Sequence, residues 1–233
     1  MLQGIRMNID DIKPNQKKAL FFAKKLLPEL VYDAVQLEGI NYTLPEIQTL
    51  LDGITVGGHK QSDQQITLNQ ANAWQFLFNS IENSDFNLSQ IFACRLHRIA
   101  AIEESLTWGV FRIGSVSIAG SDYQPPAADL LDDCWEKMIV ESKAISDNYD
   151  KAIYIFLQMA RNQFFYDVNK RMGRFMMNGI LLSAGYPAIN VPVTRQQEFN
   201  ELMLAFYPSN DGTAMNAFMR SCIPKAVLQA MIE

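Results

Sequence analysis

The sequence predicts a mainly α-helical protein, and two observations lead to that fold class. Apolar residues recur at helical spacing along most of the 233-residue chain, between residues typical of helix starts and ends. With 48% hydrophobic and 11% aromatic residues, the chain can bury a large core as a single domain over residues 1–233. We predict nine helical segments, over residues 14–39, 44–52, 67–82, 88–104, 126–145, 148–163, 170–184, 194–206 and 211–232.

One stretch departs from the helical pattern. Residues 109–126 read GVFRIGSVSIAGSDYQPP and contain three glycines followed by a double proline. Within it, apolar residues alternate with serines: Ser115, Val116, Ser117 and Ile118. Alternation with period two, bounded by glycine and proline, is typical of a strand beside a turn. We therefore predict one short β-hairpin flap over about residues 112–124.

The charge and composition indicate which kinds of partner and which cellular compartment to expect. A net charge of -5 and a pI near 5.1 argue against a nucleic-acid surface. We expect no membrane segment and a cytoplasmic protein, because no apolar run is long enough to span a bilayer and the first residues lack a secretory signal. Cys94, Cys134 and Cys222 show no metal-ligand spacing and are predicted to be reduced thiols.

Positive charge is concentrated where the predicted helix 170–184 begins. Asn169, Lys170, Arg171 and Arg174 lie in or beside its first turn, where the helix end already carries partial positive charge. Free backbone N–H groups and two guanidinium groups on one face suit a phosphate chain. The Asp167 carboxylate would repel a phosphate unless a divalent cation lay between them, so we expect such a cation at Asp167.

Three separated stretches carry a resemblance to a known family. Residues 163–174, QFFYDVNKRMGR, precede an apolar helix that ends in GYP, and this resembles the HxFx[D/E]GN[G/K]RxxR core motif of Fic (Fido) domains. The stretch 109–126 resembles their flap. Residues 34–46, AVQLEGINYTLPE, resemble the inhibitory helix motif [S/T]xxxE[G/N] of self-inhibited members, and we place that helix at about residues 28–40.

The resemblance implies a fold, an activity and a set of roles. The fold would be a bundle of about eight helices with one β-hairpin, and the activity would be transfer of AMP from ATP to a protein Ser, Thr or Tyr hydroxyl. By resemblance, Asp167 would hold magnesium, and Asn169, Lys170, Arg171 and Arg174 would bind the phosphates. Glu38, followed by Gly39, would pair with Arg174 and inhibit. The flap, at residues 115–118, would dock a protein target.

Four positions depart from the family pattern, and the mildest change is Phe164, which stands where proline is common. Gln163 replaces the catalytic histidine, and a carboxamide cannot accept a proton as a general base, a loss that typically costs roughly 10² to 10⁴ in rate. No replacement is evident, since His59 lies in a polar loop and His97 is expected to be a satisfied core residue. Val168 replaces a glycine that favours positive φ. Ala34 replaces the serine or threonine of the inhibitory motif.

Three functions are therefore open. The first is a domain that binds a nucleotide phosphate chain, is self-inhibited by Glu38 and is impaired in transfer. The second is an active transferase of AMP or another phosphate-containing group. The third is a pseudoenzyme that serves as an interaction module. The expected cofactors are ATP and magnesium, and the expected partner is a protein target or regulator at the flap. A homodimer is also open.

Overall fold

We describe the protein from a computed structural model that covers residues 8–233. These residues contain eleven α-helices and no β-strand, which confirms the mainly helical fold class. The helices are α1 (Gln16–Lys25), α2 (Leu27–Gln36), α3 (Leu44–Leu51), α4 (Gln61–Glu82), α5 (Gln90–Ala100), α6 (Leu131–Lys143), α7 (Asn148–Asn162), α8 (Asn169–Ser183), α9 (Gln196–Ser209), α10 (Thr213–Arg220) and α11 (Lys225–Ile232). None of the described helices has the length and apolar character that a membrane crossing requires.

Each predicted segment contains a helix, but two segments are divided. The segment 14–39 breaks at Leu26, and Pro28 lies in the first turn of α2. The segment 211–232 breaks before Pro224, which precedes α11. Proline is tolerated at a helix start and not in its interior, because it lacks the N–H group that an interior hydrogen bond needs. Each proline therefore marks the start of a new helix.

The core is organised around α8, which packs along α7 and also contacts α4, α5 and α1. Gly173 allows the close approach of α7, since a Cβ atom there would lie 2.8 Å from the Phe156 carbonyl oxygen. Almost every side chain of α8 is buried, including those of Arg171 and Arg174. The helix that carries the predicted phosphate ligands is thus the most enclosed element of the fold.

The predicted β-hairpin flap is not present. Residues 101–127 contain neither strand nor helix, and their two limbs are not joined by a ladder of backbone hydrogen bonds. Instead, Arg112 N–H donates to the Phe164 carbonyl (3.0 Å), and Ser121 N–H closes a local turn on Ile118 (3.1 Å). The alternation at residues 115–118 therefore reflects an extended segment without a partner strand.

The buried side chain of Arg112 helps to fix this segment. Arg112 is 2% exposed, and its guanidinium donates to the carbonyl oxygens of Gln163 (2.6 Å), Gly114 (2.7 Å) and Pro126 (2.5 Å). Gln163 ends α7, so the cation also lies at the negative end of a helix dipole. Burial lowers the pKa of Arg112 from its ordinary value. The carbonyl oxygens compensate the charge and tie both limbs to the end of α7.

Candidate functional site

The loop between α7 and α8 is held in a strained backbone conformation at both ends. Gln163 caps α7 with φ 51°, and Val168 caps α8 with φ 66°. The left-handed region costs a residue with a side chain about 1–2 kcal/mol. Val168 thus adopts the conformation for which glycine is suited, although its branched side chain disfavours it. The loop keeps the turn that the sequence motif specifies.

Burial of the Val168 side chain offsets this strain. Val168 is buried, and removing two buried methyl groups costs about 1.6 kcal/mol. We expect Val168→Ala to lower the free energy of unfolding by about 1–2 kcal/mol. Val168→Gly removes more side chain but relieves about 1 kcal/mol or more of strain, so we expect it to be no less stable than Val168→Ala. Urea denaturation measures both.

The matched control is Val31, which is also fully buried but lies within α2. In a helix, glycine is about 1 kcal/mol worse than alanine. Val31→Gly is therefore expected to be less stable than Val31→Ala. If glycine is less stable than alanine at position 168 by as much as it is at position 31, the left-handed strain at Val168 is not significant.

The side chain of Asn169 holds the loop together. Its Oδ1 accepts from the Phe165 N–H (2.9 Å), and its Nδ2 donates to the Phe165 carbonyl (2.8 Å) and to Gln163 Oε1 (3.0 Å). Gln163 Nε2 donates in turn to the Ala160 carbonyl (2.6 Å). Both ends of the Gln163 carboxamide are thus engaged within the chain, so this residue acts as part of the loop framework.

His97 joins the same loop to residues 101–127. Its Nδ1 accepts from the Gly109 N–H (3.0 Å), its Nε2 lies 3.4 Å from the Asp167 carbonyl, and its ring stacks on Phe165 at 3.8 Å. Burial lowers the pKa of His97 to about 4. The ring is neutral at pH 7 and carries its proton on Nε2, because Nδ1 is an acceptor. His97 is a satisfied core residue, as the sequence predicts.

His59, in contrast, lies apart from the loop. Its ring stacks on Tyr42 at 3.7 Å, and its Nε2 lies 3.2 Å from Glu46 Oε1. Neither histidine therefore supplies a base next to Gln163.

A cavity of about 550 Å³ opens beside the loop, and we call it the Asp167 cavity. Its walls come from the loop, from the start of α8, from α9, from the extended segment and from Glu38, two residues beyond the end of α2. The lining residues are Glu38, Ser117, Ile118, Ala119, Gln163, Tyr166, Asp167, Lys170, Asn200, Met203, Leu204 and Tyr207. The structure thus brings six of the predicted site residues together. The other six do not line the cavity: Gly39, Ser115, Val116, Asn169, Arg171 and Arg174.

Glu38 links this cavity to the two arginines of α8. Its Oε1 lies 3.6 Å from both Arg171 Nε and Arg174 Nη2. This distance exceeds a hydrogen bond, and both nitrogen atoms are buried without a hydrogen-bond partner. Gly39, at φ 80°, turns the chain immediately after Glu38 and ends the α2 region. Two cationic donors thus face one carboxylate without a direct hydrogen bond.

Glu104 is a second carboxylate at the same place, and the sequence motifs do not include it. Arg171 binds it with both terminal nitrogens: Nη1 donates to Oε2 at 3.0 Å, and Nη2 pairs with Oε1. Arg171 is 2% exposed, so this bidentate contact is largely removed from water. Glu104 lies 67 positions away in an irregular turn. The only hint in the sequence is the acidic pair Glu103 and Glu104 after an apolar helix.

The four charged groups balance one another. Burial raises the pKa of Glu38, but the charges of Arg171, Arg174 and Lys170 together bring it below its ordinary value. Burial lowers the pKa of Arg174 to about 10, which still leaves it charged at pH 7. Buried ions of one sign are costly unless they are paired. Arg171 and Arg174 are therefore stable here because Glu38 and Glu104 accompany them.

Comparisons with known proteins agree with this architecture. The Fic/DOC family model matches residues 85–181, which include the loop and α8 but not Glu38. The fold resembles a Fic domain-containing signaling protein from Bacteroides thetaiotaomicron, with a TM-score of 0.76 at 17% identity over 96% of this chain and 91% of that one. Fic-1 from C. elegans gives a TM-score of 0.75 at 17% identity, over 93% of this chain and 72% of that one.

A Fic family protein from Desulfovibrio desulfuricans gives a TM-score of 0.71 at 17% identity, over 91% of this chain and 65% of that one. No curated protein matches the sequence significantly. The structural likenesses concern the fold, and the family model concerns the central part of the sequence. Residues 85–181 thus match the Fic/DOC family model, and the fold of the chain resembles that of solved Fic proteins.

Proposed function

We propose that the chain binds the phosphate chain of a nucleotide in the Asp167 cavity, and that the described conformation is a self-inhibited state closed by Glu38 and Glu104. One observation carries this proposal. Arg171 Nε and Arg174 Nη2 are buried donors without hydrogen-bond partners, beside a carboxylate at the cavity wall. Phosphate oxygens are stronger and more numerous acceptors than one carboxylate oxygen at 3.6 Å.

The cavity residues fit ATP with magnesium. Lys170 and Asp167 both line the cavity, and Asp167 is exposed there. Magnesium is commonly held by one carboxylate together with substrate phosphates. Asp167 Oδ1 accepts from the Val168 N–H (2.6 Å), which orients the carboxylate. The bound ion would neutralise phosphate charge, while Arg174 and Arg171 bind the end of the chain once the carboxylates have moved. The cytoplasm, where ATP is available, is the compartment that we propose.

Transfer of AMP is the step that we propose to be impaired. A protein hydroxyl needs a group that takes its proton, and Gln163 has no titratable site. Its carboxamide is also hydrogen-bonded to Ala160 and Asn169. Positioning and charge stabilisation alone support a slow residual reaction.

One observation favours an alternative, an interaction module that binds no nucleotide. Both terminal nitrogens of Arg171 already pair with Glu104, which is the arrangement of a permanent structural ion pair. In that case the extended segment at Ser117 and Ile118, which lies at the cavity, would contact a protein partner. Nucleotide binding separates the two functions, because only the first requires it.

We expect little transfer of labelled AMP to proteins by the unmodified chain. Gln163→His alone is expected to restore little, because the phosphate site stays closed. Gln163→His together with Val168→Gly and Glu38→Gly is expected to restore more. The measurement is incorporation of label from ATP into a cell lysate and into the chain itself.

Asp167→Asn is the matched control, since this residue is exposed and its replacement is not expected to disturb the core. Strong labelling by the unmodified chain that Asp167→Asn abolishes would contradict the proposed impairment.

A further inference from the structure

A second cavity lies beside α2, between that helix, α1 and the segment that precedes α9. It has a volume of about 450 Å³ and shares no lining residue with the Asp167 cavity. We call it the α2 cavity. Its lining residues come from α1, α2, the segment before α9 and the region around the start of α11: Phe22, Ala23, Leu26, Glu29, Leu30, Asp33, Ala188, Asn190, Pro192, Arg195, Ser221, Cys222, Ile223, Pro224 and Val227. The size and the mainly apolar lining are those of a small-molecule site.

Two carboxylates of α2 line this cavity. Glu29 and Asp33 are four residues apart on the helix, where like charges repel each other. Asp33 is satisfied, because its oxygens accept from Asn190 Nδ2 (2.5 Å) and from the Val193 N–H (2.9 Å). Glu29 Oε2 is buried and has no hydrogen-bond partner. The helix dipole accounts for an acidic residue in this first turn, but not for its buried oxygen without a donor.

The cationic residue of the lining does not neutralise these carboxylates. Arg195 Nε and Nη2 both bind Glu198 at 2.9 Å, and its Nη1 donates to Ser221 at 2.7 Å. Its guanidinium also lies over the Phe218 ring. The α2 cavity therefore offers apolar walls, a net negative charge and an acceptor that is not satisfied by the described residues.

We propose that the α2 cavity binds a small organic ammonium ion with an aromatic or aliphatic body. The body would replace water along the walls formed by Phe22, Leu26 and Val227. The ammonium group would donate to Glu29 and relieve its repulsion with Asp33. A charged donor suits this position better than a neutral one, because attraction between opposite charges adds to the hydrogen bond.

The position of the cavity gives such a ligand a regulatory consequence, which rests on the proposed function. The ligand would contact Leu30 and Asp33 on α2 and Ala188 on the facing segment, and so hold α2 in place. Glu38 lies two residues beyond the end of α2. Binding of the amine is therefore expected to weaken ATP binding, and by reciprocity ATP to weaken binding of the amine.

Three indoles of nearly the same shape test the site without any nucleotide. Tryptamine carries an ammonium group, tryptophol a hydroxyl and indole-3-propionate a carboxylate. Calorimetric or NMR titration at pH 7 is expected to give saturable binding of tryptamine in the millimolar range, since ligands of this size gain only a fraction of a kcal/mol per atom. We expect tryptophol to bind at least about tenfold more weakly, and indole-3-propionate not to bind.

Glu29→Gln keeps the shape of the side chain and removes its charge. In this variant we expect the affinity for tryptamine to fall at least about fivefold and the affinity for tryptophol to stay unchanged. Glu201→Gln, on the exposed face of α9, is the control that changes the net charge equally and leaves binding intact. Equal affinity for the three indoles, no saturable binding of tryptamine, or an unchanged affinity in Glu29→Gln would each overturn the proposed site.

These outcomes do not depend on whether the chain binds ATP. If tryptamine binds as expected but leaves the ATP affinity unchanged in a chain that binds ATP, the regulatory consequence is overturned.

Discussion

Replacing Glu38 and Glu104 together by glutamine is expected to tighten ATP binding by more than one and up to about three orders of magnitude. Each carboxylate competes with phosphate for a buried guanidinium, and one charged contact of this kind is worth about 1.5–3 kcal/mol. The two effects share Arg171, so we expect less than the full sum. Each single variant should gain about one to two orders, and ADP should gain less than ATP because it lacks the γ-phosphate. Calorimetric titration in magnesium buffer measures all of these affinities.

The same variants are expected to be less stable in the absence of nucleotide. Removing one partner of a buried ion pair leaves an uncompensated charge, and this typically costs about 3–5 kcal/mol. Glutamine keeps the shape and one acceptor oxygen, so the loss should fall below that range. A saturating ligand that binds only the folded state restores stability. ATP should therefore raise the melting temperature of the double variant more than that of the unmodified chain.

Arg112→Met is expected to lower the free energy of unfolding by about 3–5 kcal/mol, which is a large part of the stability of a domain. Methionine has a similar length but donates no hydrogen bond, so the carbonyls of Gln163, Gly114 and Pro126 lose their shared donor. Residues 101–127 should also become more sensitive to limited proteolysis, because Arg112 is what ties their limbs to α7. Urea denaturation and a protease time course are the two measurements.

Two further variants make this test specific. Arg95→Met removes an exposed arginine whose guanidinium lies 5.4 Å from the Phe76 ring, and it is expected to change stability by less than about 1 kcal/mol. Arg112→Lys keeps the charge but not the planar fork, so we expect an intermediate loss. A loss below about 1 kcal/mol for Arg112→Met would mean that this side chain does not hold the segment in place.

The helices could be predicted from the sequence because each leaves a local pattern. The start of α8 at Asn169 and its apolar face follow from spacing and from the charged first turn. The sequence also pointed to Arg171 and Arg174, although a first turn of charged residues would ordinarily be exposed. Their burial depends on the packing of α1, α4, α5 and α7 around α8, which is not a local property.

The rest could not be predicted because it depends on long-range contacts. The alternation at Ser115 to Ile118 is the same for a hairpin and for a lone extended segment, and only the absent partner strand distinguishes them. Arg112 holds the segment in its extended form by donating hydrogen bonds to backbone carbonyl oxygens on both sides of it. Glu104 lies in an irregular turn and meets Arg171 only through the fold. Val168 was expected to resist positive φ, yet packing of its side chain accompanies a φ of 66°.

Titration of Mg·ATP into the Glu38→Gln, Glu104→Gln double variant, with and without Arg174→Gln, tests the central claim most directly. The claim is that the buried arginines of α8 form a phosphate site which the two carboxylates close. It predicts that the double variant binds ATP far more tightly than the unmodified chain, and that adding Arg174→Gln weakens this binding at least about tenfold. Circular dichroism confirms that each protein is folded. Folded variants that bind ATP no better than the unmodified chain, or an affinity that Arg174→Gln does not change, would contradict the claim.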